Sequence, residues 1–237
     1  MLSVRKALTR LLAQVLPPAC PLCSRTFPAD WSEPFCSDCL AGFLPLPVVR
    51  CSRCALPFKS TEGSSHLCGG CLKAPPPFSN VYALGRYEGT LRDAIHQFKF
   101  NGRVSLDRPL AKLLFSQIAA DAEFDIVIPV PLSHKRLQQR NYNQALLLAR
   151  DLARCYGLSV AEDLLRKHKD TVAQHDLPAI ERQRNLQGVF RTSKSLQGET
   201  ILLVDDVMTT GSTVSACSQE LLACGASEVQ VAVLGRA

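Results

Sequence analysis

Two adjacent carboxylates, Asp205 and Asp206, are followed by a cluster of small hydroxyl residues around one glycine: Thr209, Thr210, Gly211, Ser212 and Thr213. The two groups suit different halves of one ligand. Hydroxyls and free backbone N–H groups at a helix start hold a phosphate, and a glycine lets the backbone come close to it. Carboxylates accept hydrogen bonds from paired hydroxyls, so a phosphate with a ribose diol beside it would satisfy both. The elements that must position them are legible in the same stretch. Ile201, Leu202, Leu203 and Val204 make a short buried strand ahead of the acids, and Val214, Cys217, Leu221 and Leu222 continue as a helix ending near Gly225. A buried strand followed by merely solvated acids is the plain alternative. A nucleotide-triphosphatase metal strand would need a G-x-x-x-x-G-K-[ST] loop, yet the chain has no Gly-Lys pair and no G-x-G-x-x-G fingerprint.

Metal chemistry is written in the cysteines. Eight of the eleven fall in four C-x-x-C pairs, Cys20/Cys23, Cys36/Cys39, Cys51/Cys54 and Cys68/Cys71. Two pairs supply the four thiolates of a closed structural zinc site, so four pairs make two structural zinc ions with no open position for catalysis. Sequential pairing closes the shorter loops and is expected; an interleaved cross-brace is the alternative. A segment with so few large apolar residues depends on the metal for much of its folding free energy. Residues 19–75 carry five Lys or Arg and four Asp or Glu, which is no basic stripe, and the module reads as a structural cap or a docking surface. Cys155, Cys217 and Cys224 occupy apolar helical positions and are read as core.

A second ligand loop follows a second buried strand, D-I-V-I-P-V at residues 125–130, which runs into P-L-S-H-K-R. In an open parallel sheet, ligands bind beyond the carboxyl ends of the strands, so this loop faces the Asp205 loop across one crevice. Lys135 and Arg136 would bring positive charge to a pyrophosphate there; a solvated basic turn is the alternative. Residues 81–87 read as a strand, and residues 91–100, 110–118 and 143–156 as helices. Residues 158–165 hold a strand edge. His96 is read as structural. The polar stretch 167–188 has the length and weak periodicity of a mobile active-site hood. Residues 134–184 carry ten Lys or Arg against six acids, a net +4 of the chain's +6, so positive charge gathers near the expected anion site.

At 237 residues and 46% hydrophobic, the chain suits one sizeable α/β core with a small appendage, and no stretch approaches the length of a membrane span. The expected division is an amphipathic helix at 1–18, a double zinc ribbon at 19–75 and the α/β domain at 76–237, the boundary marked by Pro75, Pro76 and Pro77. Arg10 cuts the apolar run, no A-x-A-like site follows, and Pro17 and Pro18 stop the helix at once, so the stretch does not read as a signal peptide. Packing against its own domain and peripheral contact with an anionic membrane are both open to it. Paired thiols without an export signal point to the cytoplasm.

The stretch 201–213 resembles the phosphoribosyl pyrophosphate (PRPP) signature of the type I phosphoribosyltransferases. With the four C-x-x-C pairs, the Y-E-G-x-L-R-x-x-I-H-x-F-K-F-x-G run at 87–102, the prolines after the second strand and R-N-Y-N-Q at 140–144, the whole chain resembles the ComF family. The resemblance implies a type I phosphoribosyltransferase-like parallel sheet flanked by helices, with an N-terminal double zinc ribbon. It implies PRPP and Mg²⁺ as ligands, held by Asp205, Asp206 and residues 209–213. Residues 169–185 are similar to the hood of the amidophosphoribosyltransferases, with Lys169, Gln174, Arg182 and Asn185 as ligand contacts. A glutamine-dependent reaction is not implied, because the chain begins Met1-Leu2 without a cysteine nucleophile or glutaminase domain. The family's association with competence implies single-stranded DNA, or DNA-uptake and helicase proteins, as partners through the ribbon. Two function classes follow: a phosphoribosyl-transferring enzyme, and a PRPP-sensing or DNA-handling module without turnover.

Overall fold

A computed structural model describes residues 18–27, 31–59, 62–168 and 188–237. The amphipathic stretch ahead of Pro18 and the hood positions Lys169, Gln174, Arg182 and Asn185 lie outside the described residues.

In chain order, α1 (Ser37–Ala41) and α2 (Gly69–Lys73) each carry the last cysteine of one Cys-rich unit. Then come β1 (Asn80–Arg86), α3 (Gly89–Phe100), α4 (Asp107–Phe115), β2 (Ile126–Pro129), α5 (His134–Arg140) and α6 (Gln144–Tyr156). The chain ends with β3 (Leu165–Lys167), β4 (Phe190–Thr192), β5 (Thr200–Met208), α7 (Ser212–Ala223) and β6 (Glu228–Arg236). Four strands form a parallel sheet in the order β1-β6-β5-β2, and β3 and β4 make a separate antiparallel pair.

Strands covered on both faces read as continuous apolar runs, and β5 and β6 show it: Ile201 to Val204 and Val231 to Leu234 are wholly buried. Successive side chains leave a strand on opposite faces. Leu202, Val204, Ala232 and Leu234 pack with Ile95, Phe98, Leu110 and Leu148 of α3, α4 and α6. Ile201, Leu203, Val231 and Val233 pack on the other face with Val214, Cys217 and Leu221 of α7. The buried position expected for Cys217 is observed; Cys155 is instead exposed and Cys224 only partly covered.

Several bounds differ from those read in the sequence. The strand expected to stop at the acids continues to Met208, because β6 runs beside it as far as the Met208–Arg236 register pair. That partner strand is not among the elements expected, although Val229, Val231 and Val233 alternate in it. The basic turn after β2 is a short helix, α5, capped by Ser133, whose Oγ accepts from the Arg136 N–H at 3.3 Å.

The Cys-rich units pack on opposite faces of the sheet. Cys20, Cys36 and Cys39 join the cluster on the α3/α4/α6 face, and Cys51, Cys54, Cys68 and Cys71 join the α7 face. The link between them crosses the free edge of β1, where the Arg86 N–H donates to the Leu44 carbonyl at 2.9 Å. Gly85 permits that crossing, since a Cβ there would lie 2.5 Å from Leu44 O. No helix among the described residues is long and apolar enough to cross a membrane.

Candidate phosphate and ribose site

β5, a short turn and α7 carry Asp205, Asp206, Thr209, Thr210, Gly211, Ser212 and Thr213 in one strand–loop–helix unit. Gly211 is the helix N-cap with φ 81°, a left-handed conformation suited to glycine. A Cβ on it would meet Met208 Cε at 2.6 Å, the movable end of a flexible side chain, so it is the torsion that reserves the position for glycine. Thr210 Oγ1 lies 2.8 Å from Ser212 Oγ and accepts from the Ser212 N–H at 3.4 Å. Thr209, Thr210 and Thr213 are exposed, which leaves the rim of the turn open to an anion. The exit of β2 stands beside this turn, because β2 pairs with β5 in parallel and the Val130 N–H donates to the Val204 carbonyl at 2.8 Å. Both loops leave the same carboxyl edge, as the crevice argument requires.

The two carboxylates do not project side by side. Asp206 shares the face of Leu202 and Val204, and Asp205 that of Ile201 and Leu203. On its face Asp206 meets Lys99 of α3, Nζ to Oδ1 at 2.8 Å, with both side chains largely buried. Asp205 Oδ1 accepts from the Asp206 N–H at 2.8 Å. Burial, followed by the neighbouring Asp206 charge, pushes the Asp205 carboxyl up to about 7 against the opposing pull of the Asp206 N–H, Lys99 and Arg140.

Arg140 ends α5 and is half-buried over the Phe100 ring, its guanidinium carbon 4.7 Å from the centroid. Its Nη1 donates to Gln144 Oε1 at 3.1 Å, and Gln144 Nε2 donates to the Lys99 carbonyl at 3.4 Å. Tyr142 Oη donates to the Phe98 carbonyl. The R-N-Y-N-Q run therefore clasps the last turn of α3 and sets Lys99 and Arg140 near the acids. Burial lowers the Arg140 pKa, opposed by the charges of Asp206 and Asp205.

Lys135 and Arg136 are exposed on α5, and the Arg136 charge is felt at Arg140. Lys99 and Arg140 are the cations that the charge count does not single out. Their signal was local: each sits in a short run whose aromatic neighbours, Phe98, Phe100 and Tyr142, pack against one another or against the cation itself.

The cysteines gather as Cys20, Cys23, Cys36 and Cys39, and as Cys51, Cys54, Cys68 and Cys71, the ligand atoms of each set lying within 4.8 Å of one another. The pairing is sequential, and the thiol chemistry fits zinc. The Cys54 and Cys68 N–H groups point at Cys51 Sγ at 3.5 and 3.3 Å. Burial would raise the Cys51 thiol, but these backbone donors bring it down to about 6, toward the thiolate a metal binds. Ser24 and Ala55, each following the second cysteine of its knuckle, take left-handed φ values of 63° and 56°. Ser24 N–H bonds back to Cys20 O and Ala55 N–H to Cys51 O, so the two units repeat one turn.

The phosphoribosyl transferase domain family matches residues 143–236, and the double zinc ribbon domain family matches residues 11–72. DNA utilization protein YhgH of Salmonella typhimurium is 35% identical over 228 residues, covering 93% of this chain and 98% of that protein. Competence protein F of Haemophilus influenzae is 35% identical over 212 residues, covering 85% and 90%. Competence protein ComFC of Streptococcus pneumoniae is 27% identical over 217 residues, covering 92% and 87%. A type I phosphoribosyltransferase-like sheet carrying two four-cysteine clusters, matched end to end by such relatives, makes this chain a member of the ComF family.

Proposed function

We propose that this protein binds PRPP at the carboxyl edge of its sheet and serves DNA uptake or utilisation, transferring the phosphoribosyl group to an acceptor with release of pyrophosphate. The observation that carries the reading is the Gly211-capped turn ahead of the twelve-residue α7, on the edge where Asp205, Asp206 and the exit of β2 meet. Thr209, Thr210, Gly211, Ser212 and Thr213 would hold the 5′-phosphate through hydroxyls and the helix N-terminus. Asp205 and Asp206 would take the ribose hydroxyls, and Lys99 must share Asp206 with the sugar when it does so.

In such a transfer the C1–oxygen bond to pyrophosphate breaks as the acceptor's lone pair bonds to C1, and negative charge builds on the leaving group. Arg140, with Lys135 and Arg136, would stabilise that charge. The carboxylate and hydroxyl oxygens of this edge are the hard donors that Mg²⁺ takes, and the ion would offset the pyrophosphate charge. Zinc in the two cysteine clusters has a structural part. Lys169, Gln174, Arg182 and Asn185 are assigned to the hood over this ligand on the resemblance alone.

A second reading, equally in keeping with relatives named for DNA utilization and competence, is a PRPP-responsive module without turnover that would engage single-stranded DNA or an uptake protein through the ribbon. One experiment separates the two. Pyrophosphate release from PRPP and Mg²⁺ is measured on zinc-loaded protein, with and without a panel of bases, amines and single-stranded DNA. Release that requires one acceptor and disappears in Asp206→Asn makes the protein an enzyme. Saturable PRPP binding without release under every acceptor supports the second reading, and no binding at all removes both.

A further inference from the structure

Arg236, near the end of β6, is 4% exposed and carries a guanidinium that the site above does not use. Its Nε donates to the Cys54 carbonyl at 2.9 Å. Its Nη1 donates to the Met208 carbonyl at 3.1 Å and the Thr209 carbonyl at 2.5 Å, and also reaches the main-chain oxygen of Ala237. One planar group therefore joins a peptide of the second cysteine cluster to the two peptides that open the turn at Gly211. Both ends are held in turn. The Cys54 N–H faces Cys51 Sγ, and the next residue, Ala55, is left-handed with its N–H on the Cys51 carbonyl, so the knuckle aims the Cys54 carbonyl. Met208 O also accepts from the Ala237 N–H at 3.0 Å, and Met208 Cε fills the space beside Gly211.

We propose that Arg236 is a positioning residue that couples the metal-held geometry of the Cys51/Cys54/Cys68/Cys71 cluster to the conformation of the 208–213 turn. A buried guanidinium that loses an acceptor keeps an unpaired donor out of water, so release of the Cys54 carbonyl is felt at Met208 and Thr209. Among the described residues the first cluster has no such link, and it packs against the opposite face of the sheet. For its effect on phosphate binding, the coupling rests on the reading of the turn given above; as a mechanical link it does not.

The test is hydrogen exchange across residues 207–215 in the full-length zinc-loaded protein, beside Arg236→Met, Arg236→Lys, Cys71→Ser and Cys39→Ser. Native mass spectrometry reports the metal content of each. Arg236→Met and Cys71→Ser should each speed exchange in this segment by about tenfold, the equivalent of one hydrogen bond to a charged group. The double variant should be no faster than the quicker single, because both cut one link. Arg236→Lys, which keeps the charge but loses the fork, should fall between. Cys39→Ser should lose a zinc ion and leave the segment unchanged. Equal exchange in wild type and Cys71→Ser, additive singles, or an equal response to Cys39→Ser overturns the coupling. PRPP titration of the same samples keeps the two readings apart. A turn that responds to Cys71→Ser in a protein that never binds PRPP sustains the brace and discards the ligand.

Discussion

Asp205 is a carboxyl that the fold holds at a cost, and its cost and use can be measured in one variant. Its pKa is raised, so between about pH 4 and pH 7 the native state binds a proton that the unfolded chain has given up. The Asp205 contribution to stability falls as pH rises through that window, and its full penalty is present above it. Asp205→Asn should therefore melt at nearly the wild-type temperature at pH 4 and above it at pH 8, as calorimetric scans would show. The same change should weaken PRPP by roughly 1.5–3 kcal/mol, the scale of a charged hydrogen bond, or about tenfold to a hundredfold by titration. Lys99 poses the opposite case. Lys99→Met leaves Asp206 buried without its cation and should cost about 3–5 kcal/mol in denaturant unfolding. Adding Asp206→Asn should restore most of that loss, because no buried charge is then left unpaired.

At the level of elements, the turn and the knuckles were legible because their chemistry is contiguous in sequence. Asp205 to Thr213 and the four C-x-x-C pairs announce strand, turn and metal knuckle from neighbours alone. The aromatic neighbours of Lys99 and Arg140 mark them only as places of packing; their approach to the acids is a meeting of α3, α5 and β5 across long separations, and helical periodicity names a face without naming its partner. The same limit hid β6, whose apolar alternation looks like any edge strand until β1 and β5 are seen on either side. The left-handed turn yields its own prediction. Gly211→Ala should lose about 1–3 kcal/mol, the cost of that left-handed conformation in a residue with a Cβ. PRPP affinity should fall further than stability does if the displaced N–H groups are, as proposed, those that hold the phosphate.

Taken whole, the molecule is a sheet clasped from both sides by its own metal-binding segment. A chain starting at Pro76 would bare apolar surface on both faces and leave the β1 edge without its Leu44 contact. It should aggregate or bind a hydrophobic dye, whereas the full chain with both clusters filled should elute as a compact species on gel filtration. Chelation should act in the same direction, and release of two zinc ions followed by dye binding would show it. The strand order has a further consequence, for synthesis. β6 lies between β1 and β5, yet it is made after both. At about 5–20 residues per second, β1 waits on the order of ten to thirty seconds for the strand that completes it. Both knuckle pairs have left the ribosome by then, and the Leu44 carbonyl is on hand to cover the outer edge of β1 at Arg86 while the edge that will meet β6 is still open. In the nascent chain, metal capture can thus serve as a chaperone in cis, closing one edge of β1 so that only the edge meant for β6 stays open until translation delivers that strand.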